Sequence, residues 1–376
     1  MVTFGCDLVA DVEPQALGFT YWFQVANEGE PYPVSIHFAG RRMGAKGKLS
    51  SRDKFSTLER IEQVVPGSGP IAVTTRVVDV APGEWHVTAS PASEVRTRRS
   101  QDRAAAQNQP RLPNASSNGT TGFAPVIQIR APGARLGAWP ALVGLGALVG
   151  LASQALLASH THLSVARVLV VSLIASLVGL VGAKLYFHTG HFLAGRTVAG
   201  HSLPGQRGEH RPMLAAGMCI QGFVLGAILT IAVGAQIVGL PLGRVLDVTA
   251  PGLLFGMTVG RFGCFFGGCC AGRPTAARWG LWSSDRHVGV RRIPVQLFES
   301  TLALCLGLAA FVIVWTTTPH PAGVVFIGAI AGYTLGRQLL FPLRDQPRYS
   351  VHGRNRMIAF AGFVIIADIA IAAFVR

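Results

Sequence analysis

Two hydropathy patterns divide the chain. In residues 1–92 apolar side chains recur at every second position: Phe19, Tyr21, Phe23 and Val25, then Val73 and Val77 around Thr75, then Trp85, Val87 and Ala89. That period puts alternate residues on opposite faces of half-buried strands. Pro66-Gly67-Ser68-Gly69 and Pro82-Gly83 break the runs as turns. Several short strands over this length predict a small all-β domain, an immunoglobulin-like sandwich. From Leu136 onward the pattern changes to continuous apolar runs, at roughly 136–159, 163–187, 213–239, 246–271, 294–316, 322–342 and 357–375. Each is long enough to cross a hydrocarbon core of ~30 Å as a helix. Residues 136–376 are therefore expected to form an α-helical integral membrane domain with seven transmembrane helices.

The segment between them, 93–135, is rich in Arg, Gln, Asn, Ser and Pro. It is poor in large apolar residues, which predicts a disordered linker. Arg96, Arg98, Arg99, Arg103, Arg111, Arg130 and Arg135 make it basic, as suits contact with anionic lipid beside a membrane span.

Within the apolar region two stretches share one design. Gly252, Gly256 and Gly260 are spaced by four and followed at once by Arg261; Gly328, Gly332 and Gly336 are followed by Arg337. Glycine at that spacing clears one helix face for close approach. An arginine inside a membrane-length run usually faces a cavity or an anion. The pair points to a buried site for a phosphate-bearing ligand; the other account is two tightly packed helices whose arginines snorkel to the interface.

Composition supports a membrane protein with a soluble part. The chain has 376 residues, 50% hydrophobic and 14% charged, with mean hydropathy +0.41. Its net charge of +15 suits anionic headgroups, and no DNA- or RNA-binding motif is present, so nucleic acid is not an expected partner. Met1 to Ala10 lack a basic region followed by a long apolar core, which predicts no cleavable signal peptide. Five of the six cysteines fall in or beside apolar runs, unlike a disulfide framework.

The polar intramembrane residues gather towards one face. Spans four and six run in the same direction, carrying Arg261 and Arg337 towards the end where Gln221, Gln296, Glu299 and Lys184 also fall. A cavity open to one leaflet accounts for this clustering.

The most distinctive run is Gly260-Arg-Phe-Gly-Cys264-Phe-Phe-Gly-Gly-Cys269-Cys270-Ala-Gly272-Arg-Pro-Thr275, followed by Arg292-Ile-Pro294-Val-Gln296-Leu297-Phe298-Glu299. These residues resemble the prolipoprotein diacylglyceryl transferases of bacteria, over about residues 136–376 and including the seven-span count. The resemblance implies a multi-pass enzyme of the bacterial inner membrane that needs no cofactor and no metal. Such an enzyme moves a diacylglyceryl group from phosphatidylglycerol to the lipobox cysteine thiol of a prolipoprotein. The family's Gly-Arg-x-Gly motif falls on Gly260, Arg261 and Gly263, and its second arginine with the preceding tyrosine on Arg337 and Tyr333. Its His-Pro-x-Gln-Leu-Tyr-Glu segment falls on Ile293 to Glu299, and its span-three glycine motif on Gln221, Gly222 and Phe223. By this resemblance Arg261, Arg337, Tyr333 and Glu299 are catalytic. Gly260, Gly263, Gln221, Gly222, Gln296, Cys264 and Cys269 then line the substrate site.

The chain departs from that pattern at particular places. The family usually has asparagine at Cys264 and Gly267, glutamate at Cys269 and Phe341, and histidine at Gln221 and Ile293. Phosphate recognition survives these changes, since guanidinium groups grip phosphate bidentately. Proton handling does not follow from them, because the attacking thiol must lose a proton and glutamine is no base. The loop histidines His188, His191, His201, His210 and His287 are candidates. Glu299 either orients an arginine or caps a helix start. Cys264, Cys269 and Cys270 lack the paired spacing of zinc sites and read as small packing residues.

Two alternatives stand beside this assignment: a phospholipid-using transferase with another acceptor, and a non-catalytic lipid-binding membrane protein. The side of the N-terminal domain is in conflict. Arginines concentrate in the loops at 188–212, 272–293 and 343–356, which the positive-inside rule would place in the cytoplasm with the β domain. The family orientation puts those loops outside.

Overall fold

The computed structural model describes residues 15–45, 49–92, 112–127, 131–197, 220–345 and 352–374; side chains at 187–188, 190–197 and 220–221 fall outside that description. Two compact units divide the chain. One comprises 1–144, 258–301 and 337–351; the other comprises 145–257, 302–336 and 352–376.

In the first unit the period-2 segments form strands β1 (Gln15–Gln24), β2 (Tyr32–Arg42), β3 (Lys54–Val64), β4 (Pro70–Val78) and β5 (Glu84–Pro91). Two further strands follow, β6 (Ala115–Thr120) and β7 (Gly122–Phe123), and later a hairpin, β8 (Leu281–Ser284) and β9 (Val288–Arg292). They build a five-stranded sheet of order β7-β1-β4-β9-β8 and a four-stranded sheet of order β3-β2-β5-β6. The alternating residues face inward as expected: Phe19, Tyr21, Phe23, Val73, Trp85, Val87 and Ala89 join Ile36, Phe38 and Ile71 in one buried cluster. Trp85 keeps its indole N–H satisfied by donating to the Ala81 carbonyl at 3.1 Å.

Two features of this unit were not expected from hydropathy. Residues 115–123, assigned to the linker, are strands: β6 pairs with β5 from Ala115 to Thr120, and β7 pairs with β1. Ala-Ser-Ser-Asn-Gly-Thr holds no large apolar side chain, so backbone ladder bonds carry β6 and hydropathy is blind to them. Residues 93–111 and 128–130 of that linker lie outside the described residues. The second feature is that the 272–293 loop does not stay a loop. Its hairpin extends the sheet, with Ala72 opposite Gly289 and Val73 opposite Val288. Val290 enters the same core. Trp282 stacks on Trp22 at 5.6 Å between centroids and donates its N–H to the Pro70 carbonyl at 3.0 Å.

The apolar runs form helices α1 (Ala138–His160), α2 (Val165–Thr197), α3 (Ile220–Ile237), α4 (Leu242–Phe266), α5 (Val295–Thr316), α6 (Val324–Leu340) and α7 (Gly353–Phe374). Among the described residues six of them are long and apolar enough to cross a membrane; the third run contributes a shorter apolar stretch, Gly222–Ile237, and its expected start at 213–219 lies outside the described residues. Large apolar side chains point outward, Phe360, Phe363, Ile366 and Phe374 on α7 among them, as lipid-facing surfaces require.

In the second unit Leu157, Val168, Val245, Leu254 and Ala303 are almost wholly buried together. The glycine spacing serves close approach there: a Cβ at Gly150 would lie 2.7 Å from the Gly252 carbonyl oxygen, and one at Gly256 would lie 3.0 Å from that of Gly146. Asp247 on α4 accepts from the backbone N–H groups of Gly323 (2.7 Å) and Phe326 (3.1 Å), satisfying donors at the start of α6 that have no partner within the helix.

Span four runs from 242 rather than 246, and ends at Phe266 instead of continuing to 271. Gly268, at φ +65°, takes the left-handed conformation that closes helices. Cys269 and Cys270 therefore lie beyond α4, in the turn that follows it.

Candidate functional site

The first unit gathers charge at the end of α4. Arg261 sits near the C-terminus of α4, Glu299 in the second turn of α5, and Arg337 near the end of α6. A short 3₁₀ turn, Phe341–Leu343, then delivers Arg344. This turn is anchored by Arg273 N–H donating to the Leu343 carbonyl (2.9 Å), Asp345 N–H to the Ala271 carbonyl (3.0 Å), and a bridge between Gly272 and Arg344.

Glu299 is the hub. Its Oε2 lies 2.9 Å from Arg261 Nη1, and its Oε1 lies 3.2 Å from Arg344 Nη1 and 3.8 Å from Arg337 Nε. The carboxylate is 1% exposed and Arg344 3%, while Arg261 is 13% and Arg337 31% exposed. Exposure thus rises from the carboxylate to Arg337, so the cluster has a buried anchor and an accessible end. Three guanidiniums around one carboxylate carry a formal charge of +2. Among the described residues this makes the cluster net positive, with its more accessible cation, Arg337, suited to meet an anion.

A second network holds the surrounding turns. Arg292, 2% exposed, donates to Asp345 Oδ2 at 2.6 Å and to Asp285 Oδ2 at 2.7 Å. It also donates to the Gly272 carbonyl at 3.1 Å and the Val288 carbonyl at 3.3 Å. Arg286 Nε donates to the Gly267 carbonyl at 2.8 Å, tying the hairpin to the end of α4.

The remaining expected residues divide. Gln296, 2% exposed, donates to the Cys269 carbonyl at 3.0 Å and so holds the turn after α4. Gly263 lets α1 pack close: a Cβ there would lie 3.3 Å from the Trp139 backbone. Gly260 faces freer space, with Val143 at 3.9 Å. Cys264, Cys269 and Cys270 converge, their sulfurs all within 4.8 Å of one another. Hydrogen bonds with Cys264 and Cys269 hold the Cys270 thiol well below the ordinary thiol range, and the Arg344 and Arg261 cations act in the same direction.

Tyr333 and Gly222 belong to the second unit. Tyr333 is 6% exposed on α6, one turn before Arg337. Gly222 packs on the α2 backbone: a Cβ at Gly182 would lie 2.6 Å from the Gly222 carbonyl oxygen. Gln221 lies in the first turn of α3, with its side chain outside the described residues, as are those of His188 and His191; His201 and His210 lie outside them altogether. His287 is in the hairpin, where its carbonyl accepts from Thr74 N–H at 2.7 Å.

Sequence reasoning missed Arg344 and Arg292. Both look like ordinary loop charges, because their partners come from distant parts of the chain. The one signal available was arginine density in the two loops, and that pattern also has a topogenic reading.

Residues 127–375 match the family model for prolipoprotein diacylglyceryl transferase. A stretch of 119 residues, 31% of this chain, is 30% identical to the phosphatidylglycerol–prolipoprotein diacylglyceryl transferase of Clostridium tetani. The match spans 45% of that relative, less than half its length.

Proposed function

The chain belongs to the prolipoprotein diacylglyceryl transferase family, and from that premise we propose that it transfers the diacylglyceryl group of phosphatidylglycerol to the lipobox cysteine thiol of a prolipoprotein, releasing glycerol phosphate. The observation that carries this reading is the Glu299 hub with its three arginines. Attack by the acceptor thiolate breaks the bond between the diacylglyceryl carbon and a phosphate oxygen. Negative charge then builds on the departing phosphate. Cations fixed in advance at that point lower the barrier, because nothing need reorganise during the reaction. Arg337, the most exposed of the three, is the first to meet the headgroup, and Arg261 follows. Arg344 and Glu299, both nearly inaccessible, position the other two. The family resemblance adds Tyr333 to the catalytic residues and Gln221 to the substrate-binding ones in this reading.

The protein is a multi-pass protein of the bacterial cell membrane. We read α3 as a further span, giving seven, and the two sheets over their shared core as an immunoglobulin-like sandwich that serves as a recognition or spacer module. The hairpin and the N-terminal sheet are hydrogen-bonded, so both occupy one side of the membrane. We place that side outside the cytoplasm, where preproteins emerge. Thiol labelling of single cysteines introduced at exposed Leu281 and Trp22 in intact cells tests this. Labelling only after permeabilisation overturns the assignment and makes a secreted acceptor untenable.

Purified protein in phosphatidylglycerol vesicles, given a lipobox peptide, should yield thioether-linked peptide and glycerol phosphate. Lipid turnover without thioether would indicate another acceptor. Bound lipid without turnover would indicate a non-catalytic lipid-binding protein.

A further inference from the structure

The three cysteines at the end of α4 were expected to be packing residues, yet their placement is not that of dispersed small hydrophobes. Cys264 lies in the last turn of α4, and its carbonyl accepts from Cys269 N–H at 3.0 Å. Gly268 at φ +65° and Cys270 at φ +55° then fold the chain back on itself. A non-glycine residue in that region is sparsely populated, and such conformations collect at functional sites. The result brings all three sulfurs within 4.8 Å of one another. Beside them is a cavity of about 260 Å³, lined by Cys269, Cys270, Asp285, Arg286 and Asp345 among others. The two carboxylates are already engaged by Arg292, which leaves Cys269 and Cys270 as the soft donors lining that space, with Cys264 beside them.

We propose that Cys264, Cys269 and Cys270 form a three-thiolate site for a thiophilic d¹⁰ cation, Zn²⁺ first among them, with its fourth coordination position open to the cavity. Zinc binds thiolate sulfur at about 2.3 Å and prefers a tetrahedron; three protein ligands with an open fourth place is the arrangement of reactive rather than structural zinc. Tetrahedral ligands at that bond length stand roughly 3.8 Å apart, inside the 4.8 Å that bounds the three sulfurs here. Charge also fits. Three thiolates and Zn²⁺ sum to −1, close to a cluster of three arginines and one carboxylate that sums to +2.

The open position takes a thiol, and this use rests on the transferase reading above. An acceptor thiol binding the cation does so as thiolate, its proton passing to solvent, so no side chain need act as base. The bound sulfur then forms the C–S bond; the C–O bond breaks, and its electron pair leaves on the phosphate oxygen beside the arginines.

The test uses the full-length protein in detergent. Metal content and titration with Cd²⁺, followed by sulfur-to-metal charge-transfer absorption, are measured for wild type, Cys264→Ser, Cys270→Ser and Cys305→Ser. Equimolar metal in wild type and in Cys305→Ser, which lies elsewhere and is exposed, with loss in the other two, is the expected result. Absence of metal and of a charge-transfer band in wild type overturns the site, as does equal binding by Cys264→Ser and Cys270→Ser. Transferase assays of the metal-stripped protein separate the two claims. Full thioether formation without metal overturns the proposed use while the transferase reading stands. Metal binding with no product from any form of the enzyme leaves the site standing and removes the transferase reading.

Discussion

Arg344 Nη1 donates to Glu299 Oε1 at 3.2 Å across 45 residues of sequence, and both side chains are nearly inaccessible. A buried pair of this kind is poor evidence for stability in itself, since desolvation offsets most of the attraction. It does fix where the remaining oxygen points, and that oxygen holds Arg261. The pair sets the geometry of the more exposed cations.

Glu299→Gln keeps the shape of the side chain and removes its charge. Three guanidiniums then lose the carboxylate they share. Breaking a buried pair by removing one partner costs about 3–5 kcal/mol, so the thermal midpoint should fall along with turnover. Circular dichroism melting and thioether formation check both. Unchanged turnover with a lowered midpoint would confine Glu299 to a structural role.

Arg261→Lys retains the charge and loses the planar fork. The expected loss of turnover is roughly 100-fold, the scale of removing one preorganised donor. Arg261→Ala should lose more. A lysine variant at wild-type rate would show that charge alone suffices there.

Arg292→Gln releases Asp285 and Asp345 together. Because both carboxylates are partly exposed and can turn to water, the cost should fall below that of a fully buried pair, about 2 kcal/mol. Hydrogen exchange at 285–292 should rise first, since this arginine ties the hairpin to the 343–345 turn. Protection equal to wild type would show that the strand pairing alone retains the hairpin.

Gly150→Ala places a methyl 2.7 Å from the Gly252 carbonyl oxygen, and the only relief is separation of α1 and α4. Overpacking of this kind costs about 1–3 kcal/mol. The variant should melt earlier, without a change in headgroup specificity. A wild-type melting curve would argue against so close a crossing.

Asp53 gives a pH dependence. Hydrogen bonds from the Ser50 hydroxyl and backbone N–H, then from Arg42, hold its carboxyl at about 2, below the ordinary aspartate value of 3.8. The folded value is the lower one, so the stability it contributes is complete above the unfolded value. It is lost as pH falls from 3.8 through about 2. Asp53→Asn should flatten the acid limb of the β-domain unfolding curve in that window and leave neutral pH little altered in slope. An identical acid limb in the variant would remove this assignment.

Much of this architecture was legible in sequence because hydropathy reports burial directly. The inward set of Phe19, Tyr21 and Phe23 and six membrane-length helices follow from it. The glycine-arginine stretches named Arg261 and Arg337, and the family pattern named Glu299; the structure brings all three together. What hydropathy cannot report is backbone pairing. β6 contains no large apolar residue, and β9 belongs to a loop some 200 residues from β4 in sequence, yet both are held by ladder bonds. Arg344 and Arg292 were hidden for a related reason. A charge in a loop acquires a partner only when two remote turns meet, and the spacing of neither turn encodes the other. The convergence of the three cysteines depends on two left-handed residues, and only one of them, Gly268, is a glycine that signals it.

The strand pairing between β4 and β9 has a practical corollary. Truncating the N-terminal region would not trim an appendage. It would strip a partner from the same hairpin whose Arg286 grips the end of α4 and whose Arg292 braces the 343–345 turn. On the proposed function, a shortened protein would then lose turnover because the turns around the arginine cluster are no longer braced, even where no recognition role exists for the missing part. Supplying the severed segment in trans, and asking whether turnover returns, would tell a mechanical brace from a docking module.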